Sequence, residues 1–238
     1  MMEKKISVFL PTRKGSQRVK SKNTRPFANL DGGLLKLKLT QLLNAEFVDE
    51  VILSTNDEIS FDIAHRYFSG SNKLKLIRRP EYLAKDETNL TDLIQYVPNI
   101  CSHHHILWTH VTSPFNESSD YDAAIQMYFK GLDEGYDSLM SVKPFKNFLW
   151  DSKHKDIINR GESNNRWPRT QDLKVLYEIN SAIFISTKKV YTETQDRIGL
   201  KPYLLEQSSI KSFDIDWESD FQLAEIIYEK QIIKKKQK

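Results

Sequence analysis

Residues 10–23 read LPTRKGSQRVKSKN and follow directly on the apolar run ISVF. The run has the composition of a buried strand. The loop that leaves it carries five cations, Arg13, Lys14, Arg18, Lys20 and Lys22, together with Gly15, Ser16, Ser21 and Asn23. Gly15 lets a backbone come close to a ligand, and Ser16 offers a hydroxyl and an amide. Amides and cations around a chain of phosphates are the physics of triphosphate binding. The spacing is neither GxxxxGK[ST] nor GxGxxG, so there is no Walker loop and no dinucleotide fingerprint. On charge alone, a phosphate cradle and a solvated surface turn both stand.

The surrounding pattern decides where such a loop sits. Residues 6–10 predict a strand, 34–45 a helix with leucines at helical spacing, and 50–55 a second strand. A helix near 58–68 has Asn56 or Asp57 as its cap. A strand at 74–77, a helix at 90–100, a strand at 106–111, a helix at 120–133 and a strand at 137–142 continue the alternation. Further strands are expected at 179–186 and 210–215, with helices around 187–194 and from about 218. Alternation of this kind implies an α/β three-layer sandwich around a mostly parallel sheet. Ligands of open α/β sheets bind beyond the carboxyl ends of the strands, where the cationic loop would lie.

The rhythm breaks between residues 143 and 175, a polar stretch centred on NRGESNNRWPRTQ. A structureless loop of that length is unusual inside a compact domain, so it is expected to pair with another subunit or cover a site. The 238 residues otherwise suit a single domain. Lys and Arg total 35 against 32 Asp and Glu, a net charge of +3, which does not suggest a nucleic-acid-binding protein. Cys101 is the only cysteine, so no intrachain disulfide forms and a reducing, cytoplasmic setting is expected. No stretch approaches the roughly 18 apolar residues of a membrane span. The short run after MMEKK stops at Pro11, too soon for a signal sequence, and the tail KQIIKKKQK reads as a frayed, solvated helix end.

A second constellation lies near the other end, FDIDWESD at 213–220. On a strand end, Asp214 and Asp216 point to one face and Ile215 to the other. A carboxylate pair suits Mg²⁺, a hard cation that takes oxygen ligands and bridges phosphate oxygens. An acidic first helical turn accounts for Glu218 and Asp220 but not for Asp214. His103, His104 and His105 are consecutive and cannot all face one metal, so they read as an exposed strand start. His110 sits at a strand end and is either pocket-facing or a satisfied core histidine. Cys101 has no partner that would make it a nucleophile, and Trp108, Phe148 and Trp150 read as core or interface residues.

Taken in order, these segments resemble the acylneuraminate cytidylyltransferases, the CMP-sialic acid synthetase family, and more distantly the CMP-Kdo synthetases. LPTRKGSQRVKSKN is similar to the family's LPARxGSKxxxxKN, RRPEYLAKDET at 78–88 to RPxxLAxD, and THVTSPF at 109–115 to LQPTSPL. STND at 54–57, INSAIFI at 179–185 and FDIDWESDFQLAE at 213–225 resemble later landmarks of the family. The ordered set spans nearly the whole chain.

The resemblance implies a nucleotide-diphospho-sugar transferase-like fold and a homodimer formed through residues 143–175. It implies that Arg13, Ser16 and Lys22 hold the triphosphate of CTP, that Asn23 contacts the nucleotide, and that Arg79 and Ala84 lie at cytosine and its ribose. Asp214 and Asp216 would carry Mg²⁺. Asn180 and Ser181 would face a nonulosonic acid, with Arg169 reaching in from the insertion and His110 close by. The implied reaction joins CTP and the sugar acid into a CMP-sugar and pyrophosphate. Three departures stand out. Gln17 replaces a lysine, His110 and Val111 replace glutamine and proline, and Glu178 falls where sialic-acid enzymes often carry arginine; Arg18 is reminiscent of the pseudaminic-acid branch. Two other readings fit parts of the chain: a glycosyltransferase whose DxD pair is DID, and a nucleotide-binding homologue without catalysis.

Overall fold

The computed structural model describes residues 4–161 and 165–236, with side chains as far as 233. Nine strands and six α-helices follow one another as β1 (Ile6–Pro11), α1 (Gly33–Leu43), β2 (Glu50–Thr55), α2 (Glu58–Phe68), β3 (Leu74–Arg78), α3 (Leu90–Ile100), β4 (His105–Trp108), α4 (Ser118–Asp133), β5 (Ser138–Phe145), β6 (Trp150–Asp151), β7 (Asp156–Ile157), β8 (Leu176–Thr187), α5 (Lys188–Thr194), β9 (Pro202–Glu206) and α6 (Glu218–Lys236). Seven strands form one sheet in the order β3-β2-β1-β4-β8-β5-β9, while β6 and β7 make a separate two-stranded ladder. Neighbours in the large sheet are parallel except at β8, which runs antiparallel to both β4 and β5.

Period-two alternation divides the apolar residues between two cores. On β1, Ile6, Val8 and Leu10 join a core with residues of α1, α2, α4 and α6, whereas Phe9 joins Trp108, Phe184 and residues of α3 and α5 on the other face. Helices on both faces of one sheet give the expected three layers.

Two expectations from sequence fail here. Residues 210–215 are not a strand but a turn at 210–212 followed by irregular chain; the edge strand beside β5 is β9, eight residues earlier, as the register Ser138↔Pro202 to Val142↔Glu206 shows. The apolar alternation of IKSFDI reflects burial of Phe213 and Ile215 against the core rather than ladder pairing. His105 is buried, with its Nδ1 2.9 Å from the Tyr128 hydroxyl, so it is a core residue and not an exposed strand start. Strand β4 also ends at Trp108, which leaves His110 in the following turn.

The cationic loop is fixed from below. Val19 is buried in the core, and the Leu35 amide at the start of α1 donates to the Asn23 carbonyl at 2.8 Å. A Cβ on Gly33, whose φ is +58°, would lie 2.0 Å from the Arg25 carbonyl oxygen, so only glycine lets the loop pass this close to the helix start.

Candidate active site

Three loops meet at the carboxyl edge of the sheet: residues 12–24 after β1, residues 109–113 after β4, and residues 208–217 before α6. Two cavities flank the first of them. One, of about 250 Å³, is lined by Arg13, Lys14, Gly15, Ser16, Lys22 and Asn23 among others. The second, of about 260 Å³, shares Arg13 and Asn23 and is completed by Arg79, Trp108, His110 and Thr112. A third and larger cavity, about 490 Å³, holds Lys143, Glu178, Asn180, Ser181, Asp214 and Asp216.

Lys22 joins the two constellations that the sequence separates. Its Nζ donates to the Ile215 carbonyl at 2.6 Å, between the two aspartates. Burial lowers its pKa, and the charges of Asp214 and Asp216 oppose that effect. Both aspartates face the third cavity although no strand aligns them. What positions them is the Ile215 amide, which donates to the Thr112 carbonyl at 3.0 Å, and the Thr112 hydroxyl, which bonds the Asp214 carboxylate.

Asp214 is mostly buried, and its Oδ1 has no hydrogen-bond partner among the described residues. Burial raises its carboxyl pKa first of all; Thr112 and Lys22 lower it and Asp216 raises it. An orphaned, buried carboxylate oxygen beside a second carboxylate is a donor set that fits a hard divalent cation. Among the described residues no group of three or more His, Cys, Asp or Glu is arranged to hold a metal ion by itself, so such a cation would need ligands besides these carboxylates.

The cations of the loop are not all alike. Arg13 forms an ion pair with Asp86, which also accepts from Gln17 Nε2 at 2.9 Å. Arg18 pairs with Asp216 at 2.8 Å and stacks over Trp217. Lys14 and Lys20 are exposed, and the Lys14 amide donates to Asn56 Oδ1 at 3.0 Å. Gln17, where a lysine was expected, thus holds the carboxylate that holds Arg13. Asp86 and Thr112 escaped the sequence reading, and so did the pairing of Arg18 with Asp216, because these roles depend on partners at least 69 residues away.

In the second cavity Arg79 is buried and gives its guanidinium to the Ser54 carbonyl at 2.6 Å and, more weakly, to the Ser54 hydroxyl. Burial lowers its pKa to about 10, so it stays charged at neutral pH. Ala84 is buried at the end of a short 3₁₀ turn after Pro80, beyond the lining residues of this cavity. His110 Nε2 accepts from Trp108 Nε1 at 3.0 Å. An indole nitrogen only donates, so His110 is neutral with its proton on Nδ1. Burial, with Arg197 next, pushes its pKa down to about 3, which disqualifies it as a base.

On the sugar side expected from the sequence, Asn180 is buried and fully engaged. Its Oδ1 accepts from the Ser141 hydroxyl and the Ala182 amide, and its Nδ2 donates to Gln207 and to Ser212. It holds the wall of the cavity instead of offering a free amide. Ser181, at φ +57°, is the residue left facing in, at the irregularity where the pairing of β8 with β5 shifts. Lys143 Nζ lies 3.2 Å from Glu178 on the neighbouring strand. Arg169 is exposed, pairs with Asp172 and lines none of these three cavities.

A cation-rich loop facing a carboxylate pair stands at the carboxyl edge of a mostly parallel sheet, in an architecture of the nucleotide-diphospho-sugar transferase fold. Residues 7–238 match the family model described as cytidylyltransferase, and the chain belongs to that family. It is 28% identical over 236 residues to the N-acylneuraminate cytidylyltransferase of Escherichia coli O18:K1:H7, a match covering 96% of this chain and 53% of that protein, so it spans about half of that relative. It is also 28% identical over 239 residues to the CMP-N,N'-diacetyllegionaminic acid synthase of Legionella pneumophila, covering 94% of this chain and 97% of the relative. A solved CMP:2-keto-3-deoxy-manno-octonic acid synthetase complexed with CTP has the same fold, with TM-score 0.62 at 12% identity over 95% of this chain and 99% of that one.

Proposed function

We propose that the chain transfers the cytidylyl group of CTP to a nonulosonic acid. The observation that carries this is the Lys22 contact, which places a half-buried cation of the phosphate-type loop between the two aspartates, 193 residues away in sequence. The anomeric hydroxyl of the sugar acid attacks the α-phosphorus, the bond to the β-phosphate oxygen breaks, and pyrophosphate leaves while the hydroxyl proton passes to solvent. Positioning and charge stabilisation supply most of such a rate.

Arg13, Ser16, Gly15 and Lys22 line the cavity suited to the phosphates, and Arg13 and Lys22 absorb charge on the leaving pyrophosphate. Asn23, shared with the cavity of Arg79 and His110, stands at the junction of phosphates and nucleoside. Asp86 holds Arg13 and Gln17 until phosphates replace it. Asp214 and Asp216 would hold Mg²⁺, which, when bound, neutralises phosphate charge and polarises the α-phosphorus. The sugar acid occupies the cavity of Ser181, Lys143 and Glu178. Arg169 reaches that cavity only by leaving Asp172.

A homodimer is part of the same reading. Phe148, Trp150, Ile158, Trp167, Tyr177 and Ile179 are all 39% exposed or more and lie on or beside the segment of residues 143–175. An apolar group of that size on one segment suits burial against a second copy. A cytoplasmic setting follows from the use of CTP. Among the described residues no helix is long and apolar enough to cross a membrane.

The test is a pyrophosphate-release assay with CTP and Mg²⁺ across sialic, legionaminic, pseudaminic and Kdo-type acids. Release with at least one acid and none with other nucleoside triphosphates is expected. Transfer of a sugar from a nucleotide-sugar with no release from CTP would instead select the glycosyltransferase reading, and tight CTP binding without turnover the non-catalytic one.

A further inference from the structure

Lys38 is a lysine with no exposed surface, on a helix whose other buried positions are mainly leucine. Its Nζ donates to the Ser113 carbonyl at 2.8 Å and to the Tyr121 hydroxyl at 2.6 Å. The Tyr121 hydroxyl lies in turn 3.1 Å from Thr109 Oγ1. Among the described residues no carboxylate lies within bonding range of Lys38; the nearby charges, Asp120 and Lys211, pair with each other. One helical turn on, Gln41 Nε2 donates to the Pro114 carbonyl at 2.7 Å. A single face of α1 therefore clamps two consecutive carbonyls of the turn after β4, and Lys38 reaches both ends of the segment of residues 109–113.

That segment lines one cavity and is tied to the loop that lines another. His110 and Thr112 face the cavity of Arg79, while Thr112 holds Asp214 through its hydroxyl and the Ile215 amide through its carbonyl. A buried ammonium costs desolvation that an apolar residue would not. Leucine would suit this helix face as packing alone, so the cost is matched by what the ammonium holds. We propose that Lys38 is a positioning residue, which fixes the segment of residues 109–113 and through Thr112 sets the place of Asp214. It touches neither substrate nor Asp214. For its effect on turnover this role rests on the CTP reading above; its effect on the loop does not.

The experiment compares wild type with Lys38→Met, an unbranched chain of similar volume that removes the donor. Amide hydrogen exchange of Ile215 reports the Thr112 contact, with the Val51 amide of β2 as an internal control. Exchange at Ile215 is expected to accelerate about tenfold or more while Val51 is unchanged. The kcat for CTP-dependent pyrophosphate release should fall about tenfold, with half-saturation shifted to higher Mg²⁺ and the KM for the sugar acid little moved. A folded variant whose Ile215 exchange and kcat both stay within about twofold of wild type overturns the proposal. Faster exchange with unchanged kcat overturns it too, since Lys38 would then be a structural tie only. Should Lys38→Met fail to fold, Tyr121→Phe removes one arm of the clamp and is read by the same two measurements. If wild type releases no pyrophosphate with any acid, the CTP reading fails, and the exchange result alone decides whether Lys38 holds the loop.

Discussion

Asp214 has two properties that oppose each other in a folded chain. Its carboxylate is proposed to hold a cation, and its burial raises its pKa against ionisation. The unfolded acid gives up its proton at lower pH than the folded one. Its contribution to stability is therefore full below the unfolded value and lost as pH rises through the folded value. At pH 7 without metal the group opposes folding. Asp214→Asn should raise the thermal midpoint in metal-free buffer while lowering pyrophosphate release about 100-fold or more. Added Mg²⁺ should stabilise wild type and not the variant, which a thermal melt with and without the ion would show. Two histidines work the other way. Burial depresses His110 to about 3 and His105 to about 4, so both fold neutral. The unfolded chain binds their protons first, and stability falls as pH drops below about 6.5. Urea unfolding at pH 7 and pH 5 should show a smaller loss for a His105→Gln, His110→Gln double variant than for wild type.

Among the elements, β8 sets one wall of the cavity proposed for the sugar acid. Asn180 satisfies all four of its hydrogen bonds there, so Asn180→Ala strands several buried partners and should cost about 2–4 kcal/mol by denaturant unfolding. Loss of the cavity shape should accompany it. Glu178 is different: it is exposed and neutralises Lys143 across the strands. Glu178→Gln should free Lys143 for the carboxylate of the sugar acid, lowering its KM severalfold and leaving the KM for CTP unchanged in steady-state kinetics. Asn180 is legible in INSAIFI, and Glu178 just before it, only as a resemblance, because a strand's sequence shows which residues alternate and not which ones bond across to Ser141 and Gln207. The strand misplaced at 210–215 has the same origin. Phe213 and Ile215 alternate like strand residues because the core lies beneath them, and period two measures burial before it measures pairing. The loop of residues 12–24 was legible in outline through its charge. Its internal division was not, since Asp86, Asn56 and Asp216, which hold its parts, come from three other segments.

At the scale of the molecule, the alternation of strands and helices was enough to give three layers and a mostly parallel sheet. The one reversed strand was not legible, since β8 looks like its neighbours in composition and only topology turns it round. The apolar residues of the segment 148–179 should make a dimer measurable by light scattering, at twice the monomer mass. A Trp167→Ser, Phe148→Ser double variant, which removes two rings 5.6 Å apart on the surface, should shift that mass toward the monomer. The reversal of β8 has a further consequence for how such a protein changes its preferences. In a wholly parallel sheet every residue at the carboxyl edge belongs to a loop, and loops that hold one ligand usually touch the next. Here the cavities of Arg13 and Arg79 are built largely from loops leaving β1 and β4, whereas the cavity of Glu178 and Ser181 begins on a strand arriving from the other direction. On the proposed function, side chains at 178 and 181 can be exchanged as one exchanges teeth on a rack, leaving the grip on the triphosphate alone. The same proposal has new sugar acids accepted by point substitution along β8, with the chemistry next door inherited intact.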